Sequence, residues 1–286
     1  MSLTIAHLGP AGTYSEQAAS FYLHWLKTSQ GVDSTLYAYP TIAKSLKAVT
    51  REKTEIAIVP VENSIEGSVS MTMDSLWQLD NLRIRQALIL PINHVLISCA
   101  NSLDEVKTVF SHPQALAQCQ QWLAKFVPNA NLIPSSSTTE ALDKIPQISG
   151  TAAISSQRAA QLYNLPILAS DINDYSENCT RFWVITQTNQ LENSFAPTHT
   201  SLAFSTSANT PGALVKALEV FADLGINLSR IESRPTKRLL GEYLFFLDIE
   251  APVNSPVMKS ALAKLNSCTE ILKIFGSYSV LRMKNE

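Results

Sequence analysis

The chain is short of basic character. Its 22 Lys and Arg face 24 Asp and Glu, for a net charge of -2, and no Lys/Arg run is longer than two residues. A nucleic-acid binder needs a concentrated basic face, so that class is excluded. No apolar stretch approaches the ~18 residues of a membrane-spanning helix, so no membrane partner is expected. The N-terminus enters a strand-like run at once, with no charged segment and apolar core of a leader, and a cytoplasmic protein is expected. Cys99, Cys119, Cys179 and Cys268 are scattered without a C-x-x-C pair. They read as reduced thiols rather than a disulfide framework or a zinc ribbon. His7, His24, His94, His112 and His199 are equally dispersed, and no metal is expected.

What is present is alternation. "TIAHLG" gives way to a helical pattern from about Thr13 to Lys27, and "EIAIVPVE" is a β-branched run of the buried-strand kind. "RQALILPINHVLISC" reads as one or two strands, "TVFSHPQALAQCQQWLAKF" as a strand feeding a helix, and "GTAAISSQRAAQLYN" repeats that pattern. Such alternation predicts an α/β fold with mostly parallel sheets over residues 1–186. The polar, turn-rich "TQTNQLENSFAPTHT" predicts a linker over 187–200. From 201 to 286 the order becomes β-α-β-β-α-β, a ferredoxin-like unit, with Pro211 near the first turn of its first helix and Gly225 as that helix's stop.

Between the first strand and helix lies Gly9-Pro10-Ala11-Gly12. It lacks the third glycine of a dinucleotide loop and the Gly-Lys-Ser/Thr of a P-loop, and Pro10 removes a backbone donor. Thr13 and Glu16 have capping-box spacing, so a helix should begin here and aim free N–H groups at the loop, an arrangement that favours an anion. Alone this is an ordinary capped turn. It recurs, however, at Glu62-Asn63-Ser64, at Ser111-His112 with Gln114, and at Ser155-Ser156. In open α/β sheets ligands bind beyond the carboxyl ends of strands, where such loops gather. Four polar junctions suit a small anionic ligand better than four caps with no further role.

"GPAGTYSEQAA", "VPVENSIEGSV", "SHPQALAQC" and "NCTRFWVI" together resemble prephenate dehydratases, and "TPGALVKAL" with "RIESRP" is similar to the ACT regulatory domain that follows in that family. The resemblance runs from about residue 4 to residue 282. It implies a two-lobed α/β domain like that of periplasmic solute-binding proteins, followed by a βαββαβ ACT domain. No helical segment precedes the first motif, so a fused chorismate mutase is not expected. The implied reaction is loss of carbon dioxide and hydroxide from prephenate to give phenylpyruvate, in the synthesis of L-phenylalanine. Aromatisation supplies the driving force, so no cofactor is required.

By the resemblance, Thr180 is the principal catalytic residue, hydrogen-bonding the departing oxygen or relaying a proton to it. Asn63 and Ser64 supply substrate donors, and Thr13, Ser111 and Gln114 line the substrate cleft. Glu62 is either a proton source or a cap. His112 belongs to the motif, yet a lone histidine is often structural. Arg181 suits either a substrate carboxylate or a structural ion pair, and Phe182 either walls the ring or fills core. Cys179 needs no nucleophilic role in a decarboxylative elimination. In the tail, Asn209, Gly212, Ala213, Leu214, Val215, Glu232, Ser233 and Arg234 match the stretches that hold phenylalanine in the family. Glu232 would receive its ammonium, or else pack or pair with Arg234. Effector sites of this kind lie between paired ACT domains, so a homodimer or homotetramer is implied. Phenylalanine should inhibit, and removing residues 200–286 should abolish that response. Two alternatives share the motifs or the frame: an arogenate dehydratase, separable by competing substrates, and a non-catalytic amino-acid sensor, which would bind without forming product.

Overall fold

The structure is a computed structural model that describes residues 2–187, 195–206, 210–239 and 241–283. The first lobe begins with β1 (Leu3–Leu8), α1 (Tyr14–Gln30), β2 (Ser34–Tyr39), α2 (Ile42–Thr50) and β3 (Ile56–Asn63). It continues through β4 (Gly67–Ser68) and α3 (Ser70–Gln78) to β5 (Leu82–Pro91). The second lobe comprises β6 (His94–Ser98), β7 (Thr108–Ser111), α4 (Pro113–Ala117), α5 (Gln120–Phe126), β8 (Asn131–Pro134), β9 (Thr151–Ser156), α6 (Gln157–Leu162) and β10 (Ile167–Ala169). The chain then returns to the first lobe as β11 (Cys179–Gln187). The tail follows as β12 (His199–Thr206), α7 (Ala213–Ala222), β13 (Leu228–Pro235), β14 (Tyr243–Ile249), α8 (Pro256–Cys268) and β15 (Thr269–Arg282).

Helix α1 starts where the capping box predicts, with the Thr13 hydroxyl accepting from the Glu16 amide, and stops at Gly31 in the left-handed region. The sheets are mixed rather than mostly parallel. β1 runs parallel to β2 and β3, but β11 inserts antiparallel between β3 and β5 because it re-enters from the second lobe. In the second lobe β7 is parallel to β8 and β9, while β6 and β10 run against their neighbours.

Two segments cross between the lobes, and they are tied together. The Ile92 amide donates to the Asn178 carbonyl at 2.8 Å, and the Ile172 amide donates to the His94 carbonyl at 3.1 Å. Asn173 accepts from the His94 amide at 2.6 Å and donates to the Ile92 carbonyl at 2.8 Å.

The tail is a ferredoxin-like unit, but it does not stand apart. β15 pairs antiparallel with β12 over His199–Thr206 and then, from Ser279 to Arg282, parallel with β5 of the first lobe. One sheet therefore runs β2-β1-β3-β11-β5-β15-β12-β14-β13 through both units, with β4 paired to β3. At the crossing, a Cβ on Gly276 would lie 2.3 Å from the Ile84 carbonyl oxygen, closer than any side chain tolerates.

The core follows the same continuity. One cluster joins Leu46, Val59, Met73 and Trp183 of the first lobe to Ala203, Phe246, Phe275 and Tyr278 of the tail. A second packs Ala18, Tyr22 and Leu26 of α1 against Ile58, Phe182 and Val184. Fully burying one such side chain is worth roughly 1.5–3 kcal/mol. Removal of residues 200–286 would thus uncover Trp183 and strip a strand from the catalytic sheet. The truncation expected from sequence to isolate regulation therefore also disturbs the core and sheet of the lobe it was meant to leave intact.

Candidate active site

Two motif strands meet in register. Thr180 of β11 pairs with Asn63 of β3, and Arg181 pairs with Glu62. At the next step Phe182 faces Pro60, so Val61 is an extra residue, a bulge that re-aims the end of β3. The outcome is a two-faced strand end. Asn63 donates to the Thr180 hydroxyl oxygen at 3.0 Å and to the Asn178 side-chain carbonyl at 2.8 Å, at the junction of the lobes. Arg181 pairs instead with Glu62 and, at 3.1 Å, with Asp248 of the tail.

Asn63 is itself fixed. Its carbonyl oxygen accepts from the Ile65 and Glu66 amides at 3.0 and 3.1 Å, a local turn bond of the Asx kind. Gln118 donates to the same oxygen at 3.5 Å from the other lobe. The Gln118 carbonyl accepts from Asn178 and from His94 Nε2, both at 3.0 Å. His94 Nδ1 lies 2.8 Å from the Tyr14 hydroxyl, which is also 2.8 Å from the Asn93 carbonyl. The Gln118 oxygen can only accept, which places a proton on His94 Nε2 and leaves the one Tyr14 hydrogen shared between His94 Nδ1 and the Asn93 carbonyl. Burial holds the His94 pKa below its ordinary value, partly opposed by Gln118, so the ring is neutral near pH 7. Burial likewise pushes the Tyr14 phenol well above its usual value.

Gln118, Asn178, His94 and Tyr14 escaped the sequence reading as functional residues. Gln118 lies four positions after Gln114, where one continuous helix was expected. The structure breaks that helix at Gln118, because Asp174 accepts from the Gln121 and Trp122 amides at 2.9 and 3.0 Å and caps a new one. Asn178 and Tyr14 adjoin motif residues, which is the only signal the sequence carries for them.

The remaining candidates divide. Ser64 accepts from the Cys179 amide at 3.0 Å, beside the Asn63–Thr180 pair. Thr13 caps α1 and donates to the Pro10 carbonyl at 2.8 Å. Ser111 is buried and donates to the Ile154 carbonyl at 2.7 Å. His112 caps α4, its Nδ1 accepting from the Gln114 amide at 3.3 Å. Phe182 fills the core against α1 at 1% exposure; it shares the face of Thr180 by strand alternation but lies two residues further along β11, beneath α1. Among the described residues no cluster of three or more His, Cys, Asp or Glu is placed to hold a metal ion.

In the tail, Gly212 has φ 82° and precedes α7 with no side-chain cap; the Ala213 amide donates to the Thr210 carbonyl at 3.1 Å, and among the described residues the Leu214 and Val215 amides of that first turn have no partner. Ala213 and Leu214 are half-buried and Val215 is exposed. The two halves of "ESRP" part company. Ser233 is exposed on the outer strand, whereas Glu232 accepts from Ser68 at 3.0 Å and Arg234 pairs with Asp74 at 3.1 Å, both on the first lobe. Asn209 lies outside the described residues.

The family model described as prephenate dehydratase matches residues 5–190, and that described as ACT domain matches residues 200–266. The chain belongs to the prephenate dehydratase family. It is 34% identical to the prephenate dehydratase of Methanocaldococcus jannaschii over 98% of this chain and 99% of that one. With the bifunctional chorismate mutase/prephenate dehydratase of Aquifex aeolicus it shares 37% identity over 96% of this chain and 73% of that one. Its fold superposes on the prephenate dehydratase of Arthrobacter aurescens, solved in complex with L-Phe, with a TM-score of 0.85 at 31% identity, covering 97% and 90% of the two chains. GqqA, described as a quorum quenching acylase, shares the frame with a TM-score of 0.80 at 26% identity, covering 96% and 97%. The family's activity, decarboxylating dehydration of prephenate, is the activity of this chain.

Proposed function

We propose that Thr180 donates the hydrogen bond that carries off the ring hydroxyl of prephenate, and that Asn63 holds it in position to do so. One observation carries this assignment. The Thr180 oxygen accepts from Asn63, and among the described residues its own hydrogen has no protein acceptor. Accepting one hydrogen bond strengthens a hydroxyl as a donor in the next. The group therefore stands oriented and unspent at the lobe junction, where a leaving oxygen gains charge. A positioned donor of this kind contributes about 10²–10⁴ in rate.

The chain of bonds from Tyr14 through His94 and Gln118 to Asn63 ends in two carboxamides, which orient but do not ionise. Its role is to fix Asn63 rather than to deliver a proton. Ser64, Gln114 and the open end of α1 near Thr13 supply the remaining substrate donors. Neutral carboxamides around the departing carboxylate favour its conversion to carbon dioxide, since they give it no fixed counter-charge.

L-Phenylalanine is the proposed effector, held after Gly212 by the unpaired Leu214 and Val215 amides at the start of α7, together with Ser233 of the outer strand. The exposed β13 edge, with Ile231 at 46% exposure, supports pairing of two tails into at least a homodimer. Four cysteines free of disulfides support work in a reducing cytoplasm.

The deciding experiment follows phenylpyruvate formation from prephenate, with and without L-phenylalanine. Turnover suppressed by the amino acid is the expected result. Turnover on arogenate alone, or hydrolysis of an N-acyl amide without turnover of prephenate, would overturn the assignment of substrate.

A further inference from the structure

The ionic cluster behind the catalytic pair is used by nothing in the reaction described above. Asp248, on β14, is wholly buried. Its carboxylate accepts from Arg230 Nε at 2.8 Å, from Arg181 Nη1 at 3.1 Å and from the Ser201 hydroxyl at 2.6 Å. Burial pushes this carboxyl upward, and the guanidiniums with Ser201 more than reverse it, so Asp248 remains ionised. Each arginine has a second attachment, in both cases on the first lobe. Arg181 reaches Glu62, while Arg230 donates to Ser68 at 3.4 Å and lies 5.6 Å from the Trp183 ring. Ser68 donates in turn to Glu232.

Two routes thus leave β13 and β14 and end on the same two residues. One runs Asp248–Arg181–Glu62, and Arg181 and Glu62 are the immediate chain neighbours of Thr180 and Asn63 in one ladder. The other runs from Arg230 and Glu232 through Ser68 to β4, which pairs Ser68 with Glu62 and Gly67 with Asn63. The strand alternation that gives Thr180 and Asn63 to the lobe junction gives Arg181 and Glu62 to the tail. A shift of β13 cannot be absorbed by solvent here, because the joint is a buried charge with fixed partners.

We propose that Asp248, through Arg181 and Arg230, is the joint by which an amino acid bound to the tail displaces the Thr180–Asn63 pair, and that Glu62 and Arg181 are positioning residues rather than substrate ligands. The proposal rests on the regulatory assignment made above.

Its test compares the full-length chain with Asp248→Asn and with Ser68→Ala, which removes hydrogen bonds and leaves every charge in place. L-Phenylalanine binding is measured by calorimetry, and the coupling factor as the ratio of apparent prephenate affinities with and without saturating L-phenylalanine. Both variants should bind L-phenylalanine within about threefold of the parent. The coupling factor should fall at least about fivefold in Asp248→Asn and about twofold in Ser68→Ala. Loss of fold would not lower coupling while sparing effector binding. Should Asp248→Asn not fold, Ser68→Ala decides. Parental coupling in folded variants overturns the joint alone. A parent chain that ignores L-phenylalanine overturns the regulatory assignment, and the joint with it, before any variant is made.

Discussion

The role proposed for Thr180, a hydroxyl that stands in for an acid, is open to a substitution that separates chemistry from architecture. Thr180→Ala removes the hydroxyl but leaves Asn63 its bonds to Asn178 and the Cys179 carbonyl. kcat should fall at least about tenfold, roughly 1.4 kcal/mol in barrier, with an unchanged melting temperature. Thr180→Ser should recover most of the loss, since the donor is restored. A Thr180→Ala enzyme at near-parental kcat would reject the assignment. His94 makes a different prediction. Its folded pKa lies below the unfolded value near 6.5, so above that pH neither state is protonated and the residue adds no slope. As the pH falls below about 6.5 the unfolded chain takes up a proton that the native ring refuses, and stability declines until the folded value is reached. His7, also lowered by burial, acts in the same direction. Denaturant midpoints measured between about pH 7.5 and pH 5.5 should therefore fall, and His94→Gln should flatten part of that slope. A slope unaltered in a folded His94→Gln variant would mean that the ring titrates freely.

At the scale of the element, β15 explains why two sequence units behave as one body. Ala in place of Gly276 must displace the Ile84 backbone, and overpacking of this kind costs about 1–3 kcal/mol or more. Urea unfolding of Gly276→Ala should show a lower midpoint and a single transition, because catalytic sheet and tail share the strand. Two separated transitions would contradict the shared core. The strand also shows where the sequence was silent. Helices, strands and the β-α-β-β-α-β order of the tail were legible from periodicity, capping residues and glycine stops. The parallel pairing of Ser279–Arg282 with Gln86–Ile89 was not, since contact between segments so far apart in the chain leaves no local periodicity. The site divides in the same way. "ENS" and "TRF" were legible as polar motif residues, but which neighbour faces the substrate depends on the bulge at Val61, and a one-residue slip exchanges the faces. Gln118 was hidden because the helix break that aims it is made by Asp174, a residue from the return crossing.

At the scale of the whole molecule a charged contact at the first motif ties the two lobes across the cleft. Arg158 of α6 donates to both oxygens of Glu16 in α1, at 2.7 and 2.6 Å, and Ser156 donates to the Gly12 carbonyl at 2.9 Å. Glu16 is buried and Arg158 half-exposed. The bidentate geometry adds direction to the attraction, while the exposed side of the arginine leaves it open to screening by salt. Burial raises the Glu16 carboxyl, and Arg158 together with the Gly12 amide and His7 more than offsets it, so the folded pKa lies below the ordinary value. The stability this carboxylate contributes is thus complete above about pH 4.3 and lost as the pH falls through the lower folded value. Enzymes that hold substrate between two lobes commit it by closing before chemistry, and on that ground loosening the contact should weaken substrate capture more than turnover. Arg158→Met keeps the length of the side chain and removes its charge. It should raise the prephenate KM about fivefold, close to 1 kcal/mol, with kcat within about twofold of the parent. Raised salt should move the parent towards the variant and leave the variant nearly unchanged. Combining Arg158→Met with Glu16→Gln should cost less than the two single effects together, because each removes the same pair. Fully additive effects would show that Glu16 and Arg158 act separately and that closure is held by the backbone contact at Gly12.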